Sequence, residues 1–305
     1  MPIGGPARVL IAAVALALTT SPTALAQESK RAFSQVGSLG DVGSSQSDNP
    51  GRIHVIGRLR LDTADYFRGA FDDVPERLDE VVFGPDLSLT FELLPREIGV
   101  LRDLTLTVGS QNGLADQVQS TQSENEWWYE SNNFAGLAAR LDEDWLLGLT
   151  YTIYTSPNDV SPTFQEVALA GRYTGRLFGL ALGPQLKVVV PVDREDAAFK
   201  TGFYTELSLA PSLSPFGSVM TLSFPLTVGV GLDDYYGPGS GASAFGAAGV
   251  TASFPLRFMP PGYGSWTFSV GGEAVLRDDD IRRLSRFDGD DSVIFIGHAA
   301  ITVTY

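Results

Sequence analysis

The stretch Ser292–Tyr305, SVIFIGHAAITVTY, decides the reading of this chain. Val293, Phe295, Gly297, Ala299, Ile301, Val303 and Tyr305 fall on one face of a strand; Ser292, Ile294, Ile296, His298, Ala300, Thr302 and Thr304 fall on the other. The sequence ends on this aromatic strand. Pairing it with the first strand would remove both edges of a sheet at once. An ordinary last strand of a soluble sandwich would look similar, so the remainder of the chain has to choose between the two.

Working backwards to Arg52, the pattern is period two, broken regularly by turn residues. The spans read as strands are 52–62, 81–94, 103–110, 127–139, 145–155, 164–173, 178–191, 199–210, 219–231, 244–256, 265–276 and 292–305. Most have about the ten residues that a tilted strand needs to cross a bilayer. Connections after odd strands are mostly long and acidic (63–80, 111–126, 237–242 with Asp233 and Asp234 before it, 277–291). Those after even strands are shorter (95–102, 140–144, 174–177, 211–217, 257–264). One face of the ninth strand carries Met220, Leu222, Phe224, Leu226, Val228 and Val230; the other carries Thr221, Ser223, Pro225, Thr227 and Gly229. A soluble sheet would lace its polar face with Lys and Glu, whereas small neutral residues suit a crowded lumen. Pro225 and Pro255 predict bulges. Trp145, Tyr173, Trp266 and Tyr305 are expected at a periplasmic rim, and Trp127, Trp128, Tyr129, Tyr154, Tyr235 and Tyr236 at an outer rim, as interfacial girdles. The expected fold is therefore an all-β, antiparallel transmembrane β-barrel of about twelve strands in the outer membrane, with outer-membrane lipid around it.

Residues 1–26 read as a cleaved signal peptide: Arg8, the apolar run 9–18, and Ala24-Leu25-Ala26 as a small-x-small site. Residues 27–51, rich in Ser, Gly and Gln, read as a flexible periplasmic leader, and 52–305 as the barrel. The chain has no cysteine, which excludes disulfides and a lipid-modified N-terminal Cys. A net charge of −15 makes nucleic acid a poor partner.

Several short stretches carry a family resemblance: YFRG (66–69), FGPDLSLTF (83–91), WWYE (127–130), YTSPN (154–158), LSFPLTVGVGLDDYY (222–236) and YGSW (263–266). With these the chain resembles the TorF-type porins. The resemblance implies an outer-membrane barrel acting as a porin and supplies no substrate or binding residues. The acidic first loop, with Asp72, Asp73, Glu76 and Asp79, departs from the shorter, more neutral segment expected in that family.

Strand parity assigns a charged interior: Arg58, Arg60, Asp86, Glu92, Glu166, Arg172, Lys187, Lys200, Glu206, Glu273 and His298. Charges away from bulk water must pair or line water, so these residues either form a network filling a narrow barrel or line a pore. Twelve strands lie between the filled eight and the open sixteen. The favoured function is passive diffusion of small solutes through a weakly cation-selective pore, with Asp72, Asp73, Glu76 and Asp79 as its acidic mouth. A closed structural barrel with surface loops is the alternative. An outer-membrane lipid hydrolase ranks below both, because neither His54 nor His298 sits beside an evident Ser nucleophile and orienting group. No enzyme activity, cofactor or metal is expected. The acidic last loop (Asp278, Asp279, Asp280, Asp288, Asp290, Asp291) lacks EF-hand spacing and interleaves Arg282, Arg283 and Arg286. The strand ending at Tyr305 is expected to engage the outer-membrane assembly machinery.

Overall fold

The computed structural model describes residues 51–64, 66–71, 81–94, 97–115, 127–142, 144–158, 163–178, 180–194, 202–237, 239–260, 262–284 and 292–305. The expected signal peptide and nearly all of the leader, together with Asp72, Asp73, Glu76, Asp79 and Lys200, lie outside the described residues.

The sheet-forming strands, in chain order, are β1 (Ile53–Asp62), β4 (Val82–Glu92), β5 (Leu101–Leu114), β6 (Trp128–Leu141), β7 (Trp145–Thr155), β8 (Phe164–Tyr173), β9 (Gln185–Arg194), β10 (Phe203–Leu209), β11 (Ser212–Leu213), β12 (Thr221–Ser223), β13 (Leu226–Leu232), β14 (Ser243–Pro255), β15 (Ser265–Arg277) and β16 (Val293–Thr304). A two-stranded hairpin, β2 (Tyr66–Phe67) with β3 (Ala70–Phe71), stands apart in the first loop. A short helix, α1 (Asp279–Leu284), follows β15.

The sheet closes. β1 pairs antiparallel with both β4 and β16, β16 pairs with β15, and β15 with β14. Val55 and Tyr305 exchange two backbone hydrogen bonds, of 2.6 and 2.8 Å, extending the seam beyond β16. Two pairs of segments are halves of one strand. Ser212 faces Ser223 and Leu209 faces Leu226 in one unbroken register; so do Ser223 with Thr251 and Leu226 with Ala248. The result is a closed antiparallel barrel of 12 strands.

The bulges expected at the two prolines are not there. Pro225 cannot donate, but its carbonyl accepts from Gly249 N at 2.9 Å, so the ladder skips a bond without slipping. Pro255 pairs with Thr267 at the end of β14. Register shifts instead fall between β5 and β6, and between β8 and β9 beside Pro191. The seventh strand also starts later than expected, at Gln185 rather than near 178. Phe178 and Gly183 take positive φ, and Leu177 bridges Leu180, so this segment is turn.

Parity holds around the circuit. Leu169 is 60% exposed and Val228 55%, as are Leu137, Leu149, Leu186 and Phe295 to similar degrees, forming an outward apolar surface. The expected ninth-strand faces hold: Thr221, Ser223, Pro225 and Gly229 are buried, and Val228 is exposed. Longer connections gather at one end of the barrel, called the loop end below; the opposite end is the turn end.

Candidate functional site: the closure at the loop end

The interior is built from small hydroxyls and paired charges. Ser88, Thr90, Thr105, Thr107, Thr150, Thr152 and Thr251 point inward and are buried. Arg58 and Asp86, cross-strand partners on β1 and β4, meet at 2.7 Å; Arg60 reaches Asp62 at 2.7 Å and Asp86 at 3.6 Å. Their side chains keep partial exposure, 22% for Arg58 and 21% for Arg60. On the far wall Lys187 and Glu206 are also register partners, 3.1 Å apart and buried. Tyr204 donates to Glu206 at 2.6 Å. His54 lies 2.9 Å from Glu92 near the turn end, and His298 3.1 Å from Thr251 Oγ1. Arg172 and Glu273 also face inward, Glu273 buried between Val275 and Gly271 on the interior face of β15. Each charged interior position read from parity within the described residues therefore points into the barrel.

The loop end is closed by a segment that is not part of the wall. The β2–β3 hairpin folds into the barrel mouth and carries Arg68 at its tip, 2% exposed. Arg68 takes φ 52° and Gly69 φ 86°, the left-handed turn that reverses the chain. A Cβ on Gly69 would stand 2.8 Å from Phe245 Cβ on β14, so glycine is required both for conformation and for close approach to the wall. Gly229 plays a similar part opposite: a Cβ there would lie 2.3 Å from the Phe245 ring and 2.4 Å from the Tyr204 hydroxyl.

The Arg68 guanidinium forms a two-pronged pair with Glu166 of β8, Nη1 to Oε1 at 2.7 Å and Nη2 to Oε2 at 2.6 Å. Such parallel hydrogen bonds are the strong geometry for Arg and carboxylate. Arg68 also donates to the Tyr235 hydroxyl, which donates to Glu166 at 3.0 Å. Aromatic rings surround the cation: Phe67 at 4.2 Å, Tyr204 at 4.8 Å and Tyr235 at 5.6 Å from the guanidinium carbon. Phe67 packs edge-on against Tyr154 and Phe164, which stack on each other. Tyr236 donates to the Arg68 carbonyl at 2.8 Å, pinning the backbone of the tip. Burial pushes the Tyr236 phenol well above its ordinary range, so it remains a donor. Burial disfavours the Arg68 charge, but Glu166 and the neighbouring phenols outweigh it, and its pKa ends above the ordinary value.

This arrangement corrects one expectation. Tyr129, Tyr154, Tyr235 and Tyr236 are not an outer girdle; they are buried inside the mouth. Tyr154 shares the inward parity of Thr150 and Thr152. Asp233 and Asp234, both at positive φ, turn the chain after β13 so that the tyrosine pair enters the barrel. Trp127, Trp145 and Tyr305 are exposed at strand ends, as expected, and Trp145 packs edge-on against Tyr173.

The last loop contributes a lid-like piece. Asp278 accepts from Ile281 N at 3.0 Å and Ala244 N at 2.5 Å, starting α1 and fastening it to β14. Ile281 is fully buried among the aromatic cluster of the mouth. Arg282 and Arg283 pair with Asp279 and Asp280 one turn earlier. Asp288, Asp290, Asp291 and Arg286 lie outside the described residues.

Arg68 is the residue that strand parity could not find, because it sits on a loop. The signal was present in the sequence: YFRG is a compact aromatic–cation–glycine turn that a solvated acidic loop has no need for.

The closed circuit, the apolar outer surface and the polar interior define an outer-membrane β-barrel. No known protein family matches this chain, and no curated protein sequence matches it. Among solved structures it is similar in fold to an outer membrane channel from Pseudomonas putida F1, at 14% identity and TM-score 0.46 over 83% of this chain and 94% of that one. It is similar to the KdgM porin in complex with disordered oligogalacturonate, at 7% and 0.39 over 83% and 98%. It is also similar to the outer membrane phospholipase A of Escherichia coli, at 14% and 0.42 over 85% and 94%. These likenesses are distant and assign no residue a role.

Proposed function

We propose that this protein is a narrow porin-like channel for passive diffusion of small solutes, closed at the loop end by the β2–β3 hairpin, with that end facing outwards. The observation that carries this reading is the nature of the closure. The mouth is stopped by a loop tip seated among inward side chains of the wall, and that tip is held through one guanidinium on Glu166, a few hydroxyls and the Phe67 ring. Behind it runs a strip of interior residues that keep partial exposure, from Arg58 and Arg60 to Thr302 and Ser269. A barrel meant only as a filled anchor has no reason to keep that strip polar and charged. The resemblance to the TorF-type porins fits the same reading, as do export through a cleaved signal and assembly through the strand ending at Tyr305.

The test is single-channel recording of purified protein in planar bilayers, wild type beside Arg68→Ala. Discrete conductance steps that grow longer-lived or larger in Arg68→Ala are expected. Silence in both, with protein that is folded by heat-modifiable gel migration, would reject the channel.

One observation favours the alternative of a closed structural barrel. Glu166, Lys187, Tyr204 and Tyr235 are all essentially inaccessible, so the far wall of the mouth has no room for water in this state. A non-enzymatic role fits both readings: His54 is engaged by Glu92 and His298 by Thr251. Lipid substrates left intact by wild type and by His54→Ala and His298→Ala alike are expected.

A further inference from the structure

The mouth holds more than a latch. Without the hairpin, Glu166 would face inward at the base of a recess bounded by Tyr204 and Tyr235, ring centroids 5.5 Å apart, with Tyr236 edge-on to Tyr235 at 5.1 Å. The neighbouring cation, Lys187, is matched by Glu206 at 3.1 Å. Carboxylate, ring faces and a phenolic hydroxyl around one buried point make a receptor for a planar, weakly hydrated cation. Arg68 fills it with its fork on Glu166 and its guanidinium carbon 4.8 and 5.6 Å from the Tyr204 and Tyr235 ring centroids.

We propose that Glu166, Tyr204 and Tyr235 form a binding site for guanidinium-bearing cations, with Arg68 as its tethered internal ligand. This rests on the channel reading only for its consequence, that such a cation, once bound, occupies the conduction path. The energetics follow from the buried carboxylate. Removing Arg68 leaves Glu166 uncompensated in a dry site, which is strongly unfavourable, and a free guanidinium ion restores the pairing. In the intact protein the tether presents Arg68 at an effective concentration on the order of millimolar or above, so free cations compete poorly. An ammonium ion lacks the fork and the flat face, and fits less well.

The experiment uses guanidinium chloride at low, non-denaturing concentration as the probe, against KCl at equal ionic strength. Thermal unfolding of full-length protein in detergent is followed for wild type, Arg68→Ala and the double variant Arg68→Ala/Glu166→Gln. Guanidinium should raise the melting temperature of Arg68→Ala, with a dose response lying about tenfold or more below that of wild type. The double variant should respond as it does to KCl. If Arg68→Ala does not assemble, Arg68→Lys replaces it, and guanidinium should again stabilise it at lower dose than wild type. Equal responses of single and double variants, or no difference from KCl, would overturn the site. Current recordings separate this from the channel itself. An Arg68→Ala pore that conducts and is neither stabilised nor blocked by guanidinium sinks the site and leaves the channel. A barrel stabilised by guanidinium but silent keeps the site and sinks the channel.

Discussion

At the scale of single residues, the barrel interior is governed by pairing. Lys187 and Glu206 face each other across adjacent strands and are buried, so each charge is balanced by the other, with Tyr204 also donating to Glu206. Lys187→Met should destabilise the protein by about 3–5 kcal/mol by stranding Glu206, while Lys187→Met with Glu206→Leu should recover most of that loss. Urea unfolding in lipid vesicles measures both; equal loss in single and double variants would mean that packing, not charge, matters at this pair. Facing counts as much as pairing. Phe224 points out and Thr227 in, three residues apart on one continuous strand. Phe224→Arg should cost about 2–4 kcal/mol if it lies near mid-bilayer and should block insertion, and Thr227→Arg should be better tolerated. Indistinguishable membrane yields of the two variants would refute the lipid-facing assignment.

At the scale of elements, two pieces decide the architecture. β16 is the seam: it pairs β15 on one side and β1 on the other, and the exchanged bonds between Val55 and Tyr305 finish the junction. Deleting Val303 to Tyr305 removes the turn-end part of that seam and reopens two sheet edges. Lower outer-membrane levels with unchanged passage across the inner membrane are expected, read by cell fractionation; normal levels would show that the seam tolerates the loss. The β2–β3 hairpin is the other piece. Its two residue pairs could not hold it in place alone, and a lone hairpin is marginal in water. Arg68, Phe67 and the Tyr236 bond to the Arg68 carbonyl fix it against the wall.

At the scale of the whole molecule, charge is the governing quantity. The net charge is −15, and the first loop concentrates acid in Asp72, Asp73, Glu76 and Asp79. A negative mouth enriches cations locally, and the effect fades as the Debye length falls to about 3 Å at roughly 1 M salt. If the barrel conducts as proposed, the pore of Arg68→Ala should prefer cations weakly and most clearly in dilute KCl. Reversal potentials in a salt gradient measure this. Neutralising the four acids to Asn or Gln should reduce the preference, and a preference unchanged by neutralisation would acquit the first loop.

The sequence by itself determined the barrel. Alternation at period two, strand lengths near ten residues and the closing stretch 292–305 leave few other ways to satisfy every backbone group while one face is apolar. Because side chains alternate strictly, parity also delivered the interior positions of Arg58, Arg60, Asp86, Glu92, Glu166, Arg172, Lys187, Glu206, Glu273 and His298. Periodicity carries no information where the chain leaves the ladder, and there the tertiary structure alone decided. It brought Arg68 from a loop onto Glu166, 98 residues away, turned Tyr235 and Tyr236 inward through two left-handed aspartates, and kept the register through Pro225. Each of these depends on contacts between segments distant in sequence. A local pattern records which face a residue takes, and the folded barrel sets what waits on the other side.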